Sequence, residues 1–63
     1  MTEKETETII QVVDTLIFTR DHTLPYGGDY WRDITHIANL LSSLIGAPKY
    51  PFDWEQERPP LFS

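Results

Sequence analysis

Between Asp29 and Gly46 the apolar residues Trp31, Ile34, Ala38, Leu41 and Ile45 recur at helical spacing, and Ile37, Leu40 and Leu44 widen that stripe on one side. Arg32, His36, Asn39 and Ser43 fall opposite, with Thr35 and Ser42 beside them. A period of about 3.6 residues, with no alternation, predicts an amphipathic helix over 29–46. The ends carry their own signals. Asp29 is placed to cap the free amides of the first turn and to meet the positive end of the helix dipole. Gly46 suits the left-handed turn that closes a helix, and Pro48 prevents resumption. Ala38 lies mid-stripe, where a small side chain lets another helix approach.

A second periodic run precedes it. Ile9, Val12, Val13, Leu16 and Ile17 repeat at helical intervals, and Thr2 with Glu5 has the spacing of a capping box. Glu3, Glu5 and Glu7 put negative charge at the end where the dipole favours it. The same stretch is rich in β-branched residues, which pull toward strand. Periodicity outranks that propensity, so a helix is predicted over 2–20. Its apolar face is broad: Ile10 widens it, and Phe18 falls beyond it, toward Gln11 and Asp14.

The segment 21–28, DHTLPYGG, is the connection. Leu24 stands before Pro25, which disfavours helical geometry, and Gly27-Gly28 permits a reversal. A link of this length brings the helices antiparallel. From 47 to 63 the chain changes character: Pro48, Pro51, Pro59 and Pro60 forbid a long helix. Tyr50, Phe52 and Trp54 alternate with Pro51 and Asp53, so an extended backbone aims all three rings to one side. Leu61 and Phe62 add two more apolar groups near the end. The predicted fold is therefore all-α: one small domain, an antiparallel two-helix hairpin with an extended Pro/aromatic C-terminal tail, pairing into a four-helix dimer.

The pairing follows from size. A chain of 63 residues has a small core, and it lacks cysteine, so disulfides and thiolate metal sites are excluded. The surplus apolar surface then needs a second molecule. The residues expected to meet one are Ile10, Val13, Leu16, Ile17 and Phe18 on the first helix, and Tyr50, Phe52, Trp54, Leu61 and Phe62 in the tail. The tail is expected to fold back and seal the hairpin, with a docked or exchanged arm as the alternative.

Charge and motif content narrow the function. A net charge of −5 argues against direct binding to nucleic acid or an anionic membrane. No apolar run approaches a membrane span, and the acidic start MTEKETET is unlike a signal peptide, so a cytoplasmic location is expected. Asp33 and His36 share a helix face, and His22 and Asp29 could approach them. Two residues at that spacing fall short of the three or four ligands a zinc ion requires. His36 has no nucleophile at a diagnostic distance, and Gly27-Gly28 before a helix is more often a turn than an anion cradle. No cofactor, metal or enzymatic activity is expected. The leading expectation is a non-enzymatic protein–protein interaction module: a small adaptor, regulator or assembly factor, acting on itself and on an unidentified protein partner. A second reading takes Glu3, Glu5 and Glu7 with Asp53, Glu55 and Glu57 as an imitation of a phosphate row, in an acidic inhibitor of a nucleic-acid-binding enzyme such as phages carry. A third is an enzyme or metal binder whose site is shared between subunits.

Overall fold

The computed structural model describes residues 1–55 and contains two helices, α1 (Glu3–Thr23) and α2 (Asp29–Leu44), packed against each other as an antiparallel hairpin. Among the described residues there is no strand.

The start of α1 is a capping box. The Glu5 N–H donates to Thr2 Oγ1 at 3.1 Å, and the Thr2 N–H donates to Glu5 Oε1 at 2.9 Å. Two free amides are thereby satisfied at the end that the acidic side chains also stabilise. The helix continues past the expected limit at Arg20 to Thr23. It stops where proline chemistry stops it: Leu24 is extended at ψ 144, and its N–H still donates to the Arg20 carbonyl. The β-branched run is helical throughout.

Helix α2 differs from expectation at its start. Gly28 is the N-cap, without a side-chain cap, and Asp29 is the first helical residue. Asp29 therefore contributes charge to the first turn and caps nothing. The closing turn is as expected from Gly46, which has φ +68. The Ala47 N–H donates to the Ser42 carbonyl at 3.0 Å and the Gly46 N–H to the Ser43 carbonyl at 3.4 Å, the paired bonds of a Schellman motif.

The seam between the helices is built from Val13 and Arg20 of α1 and from Trp31, Thr35, Ala38 and Ser42 of α2, all buried. Thr35 and Ser42, expected on the polar flank, are among the most buried residues of the hairpin. The reason is size. Thr35, Ala38 and Ser42 lie at i, i+3 and i+7 and form a strip of small side chains into which α1 settles. The bulkier Ile34, Leu41 and Ile45 are displaced to the margin and are only half-buried. The hydroxyls cost little there because they are satisfied. Thr35 Oγ1 donates to the Trp31 carbonyl at 2.8 Å and accepts from Arg20.

Candidate functional site

After Gly46 the chain turns back along α2 toward the interhelical loop. Three contacts hold it. The Tyr50 N–H donates to Asn39 Oδ1 at 2.7 Å, and Asn39 Nδ2 donates to the Tyr50 carbonyl at 3.0 Å. Arg32 and Asp53 form a bidentate pair, Nε to Oδ1 at 3.0 Å and Nη2 to Oδ2 at 2.8 Å. The Arg32 guanidinium is held above its ordinary pKa, first by the hydrogen bond to Asp53. The same guanidinium lies 5.1 Å from the centre of the Trp54 ring, which stacks on Phe52 at 4.5 Å. Gly27 is closely approached: a Cβ there would stand 3.3 Å from Asp53 Oδ2.

These anchors fix which side of the hairpin the segment covers. At about 100° per residue, Arg32, Asn39 and Ser43 lie on one flank of α2. Tyr30, Ile34, Ile37, Leu41 and Leu44 lie on the other. Residues 47–50 line a cleft of about 290 Å³ with Ile10, Val13 and Asp14 of α1 and with Ser42 and Ile45. The segment therefore runs along the polar flank of α2, and it does not cover the aliphatic one.

Among the described residues nothing covers this flank, which is continuous across the two helices. Antiparallel pairing of right-handed helices puts Ile9, Val12 and Leu16 of α1 on the same side as the aliphatic flank of α2. Tyr30, Ile37 and Leu44 are exposed, Leu44 by 63% and Ile37 by 44%, whereas Leu40 lies toward the returning segment and lines a groove with Asn39, Tyr50 and Phe52. Ile9, Leu16, Ile34 and Leu41 are half-buried at the base of the strip. Asp33 lies at its rim, and Glu5 sits at the α1 end, engaged in the capping box.

The residues expected to form an interface are distributed differently. Val13 is 5% exposed and belongs to the intramolecular seam. Leu16 and Ile17 are half-buried. Ile10 faces the returning segment. Phe18 is 62% exposed and stacks on His22, one turn on, at 3.9 Å. Tyr50 and Phe52 are half-buried, and Trp54 is exposed. Leu61 and Phe62 lie outside the described residues. Tyr30, Ile37, Leu40 and Leu44 went unrecognised as surface because an apolar stripe on a hairpin is expected to face the other helix. The one available signal was that the stripe is wider than a single partner can cover.

The chemistry weighed from sequence finds this setting. His22 Nδ1 is 2.8 Å from the Phe18 carbonyl, turned onto its own helix. Among the described residues no three His, Asp or Glu side chains converge. The Gly28 N–H donates to the Pro25 carbonyl, and the Asp53 carboxylate stands beside Gly27, a poor neighbour for a second anion. Glu3, Glu5 and Glu7 are at the open end of the hairpin, whereas Asp53 is at the loop end, about 27 Å of helix away. Asp53 is paired with Arg32, and Glu55 accepts from the Phe52 N–H. Glu57 lies outside the described residues. No described helix is long and apolar enough to cross a membrane. Compared with protein-family models, curated proteins and solved structures, the chain matches none.

Proposed function

We propose that this chain is a non-enzymatic protein–protein interaction module, a small adaptor, regulator or assembly factor, that binds by burying the aliphatic flank of its hairpin. The observation that carries this reading is the position of the returning segment. It engages the polar flank through Asn39 and Arg32, and Tyr30, Ile37 and Leu44 stay exposed on the other side. Aliphatic side chains gathered in one strip mark association sites, because separating them from water is favourable by about 25 cal/mol per Å².

The finer features belong to the same proposal. The returning segment, expected to be extended, turns over 53–55, where the Glu55 N–H donates to the Phe52 carbonyl, and presents Trp54 at the loop end; a four-helix arrangement is the form in which a hairpin of this kind buries its open side. Binding driven by burial persists at high salt, whereas a charge-driven competitor for a nucleic-acid groove loses affinity steeply.

The test is retention of proteins, free copies of this chain among them, on the immobilised chain in about 0.5 M salt, compared with the Leu44→Glu variant. Proteins held by the wild type and lost with the variant support the reading. Identical capture by both, or capture that vanishes with salt, overturns it.

A further inference from the structure

Resting on that reading, we propose that the occupant of the aliphatic flank is a second copy of this chain. The two copies pack isologously, with α2 antiparallel to α2 and Ile37 on the two-fold axis.

Three observations select this partner. The first is area. The exposed parts of Tyr30, Val12, Ile37 and Leu44, with the remaining faces of Ile9, Leu16, Ile34 and Leu41, amount to a strip on the order of 500 Å², within the range of functional patches on monomer surfaces. Two strips face to face bury about 1,000 Å², the lower limit for a biological interface. The second is self-complementarity. With Ile37 at the centre, Tyr30 near the start of α2 lies opposite Leu44 of the other copy at its end, and Ile34 lies opposite Leu41. A large ring meets an aliphatic side chain at each end, and no charged residue occupies the middle. An unrelated acidic partner would find no complementary group there, and a basic one only Asp33 at the rim.

The third is charge, which decides the orientation. Two hairpins can stack with their loops at the same end or at opposite ends. The first brings the Glu3, Glu5 and Glu7 ends of both copies together in a molecule whose net charge is already −5. The second separates them by the length of the assembly and places α2 over α2. The returning segment, with Trp54 62% exposed, is on the opposite flank and stays accessible in the pair.

The chain lacks cysteine, so single cysteines report the geometry directly. The full chain is sedimented from micromolar to several hundred micromolar, beside Ile37→Glu and Leu44→Glu. Both side chains are exposed in the single hairpin, so helix content by circular dichroism stays near wild type. The expected result is a two-chain species for the wild type, weakened about a hundredfold by either variant. Under oxidation Ile37→Cys couples to itself. Leu44→Cys alone couples poorly, but couples with Tyr30→Cys when the two are mixed. A wild type that is one chain throughout overturns the proposal, as does a pair that survives both glutamates or crosslinks in the wrong pattern.

An apolar fluorescent dye separates this failure from that of the functional reading. A single-chain wild type that binds the dye, with binding abolished by Leu44→Glu, leaves a docking face whose occupant is another protein. A single chain that binds no dye removes the docking face as well. If dye binding appears only after residues 56–63 are deleted, the occupant is the chain's own terminal segment.

Discussion

Arg20 Nη1 donates to Thr35 Oγ1 at 2.7 Å across the helix seam, with the guanidinium carbon 4.1 Å from the centre of the Trp31 ring. A cation that is only 8% exposed thus spans the two helices at the loop end. Its other contacts go to Asp21, through Nε at 3.0 Å and Nη2 at 2.9 Å. Tyr26 closes the cluster edge-on against Trp31 at 4.8 Å. The loop end is therefore held by a polar network under aromatic cover, and the open end by aliphatic contacts around Val13.

Removing the acceptor from this network leaves a buried donor unpaired. Thr35→Val keeps the shape and is expected to destabilise the hairpin by about 1–3 kcal/mol. Arg20→Met in the same background should recover part of that loss, since an apolar pair leaves nothing unsatisfied. Urea titration of the two single variants and the double variant measures the coupling. Simple additivity would mean that the bond contributes nothing of its own.

Asn39 forms both backbone bonds to Tyr50, so Asn39→Ala should free the returning segment and leave the helices in place. Tyr50 N–H exchange is expected to accelerate about tenfold, for roughly 1–1.5 kcal/mol of lost bonding, with α2 amides near Ala38 unchanged. Asn39→Asp keeps an acceptor for the N–H but sets a carboxylate against the Tyr50 carbonyl, and it should be no better than alanine. Hydrogen exchange by NMR resolves both. Slowed or unchanged Tyr50 exchange would mean that the segment is held elsewhere.

The two left-handed glycines separate strain from contact. Gly46 has φ +68 with open space around it, so Gly46→Ala should cost only backbone strain, about 1–2 kcal/mol. Gly27 has φ +79, and a new Cβ would press on Asp53 at 3.3 Å. Gly27→Ala should add a loosened Arg32–Asp53 pair, seen as a change in Trp54 fluorescence that Gly46→Ala does not produce. Equal fluorescence in both variants would remove Gly27 from the anchoring of the segment.

The capping box makes the start of α1 sensitive to acid. The Thr2 backbone N–H, and secondarily the Thr2 side chain, hold the Glu5 carboxyl below its ordinary value of 4.5. A lowered folded pKa means that the cap is at full strength above the ordinary value and is lost as pH falls through the lower one. The Thr2 amide shift should therefore move with a midpoint below the common glutamate range, with fraying of the first turn of α1. Glu5→Gln should abolish that titration. A midpoint at or above the ordinary value would contradict the bond.

The sequence by itself determined the two helices and the signals that bound them, though not the last residue of each. Apolar period, the Thr2–Glu5 spacing, Leu24 before Pro25, and Gly46 before Pro48 are local instructions, each satisfied within a few residues by backbone geometry. They specify two helices and a reversal whatever lies around them. Which residues α1 would meet was decided only by the tertiary structure. Burial selects for fit as well as for hydrophobicity, so Thr35, Ala38 and Ser42 admit the other helix and Ile37 and Leu44 remain outside. The course of the segment after Gly46 was likewise invisible in one dimension. It depends on an amide at Asn39 and a guanidinium at Arg32, whose partners are distant in sequence and are brought within reach only when the chain turns back.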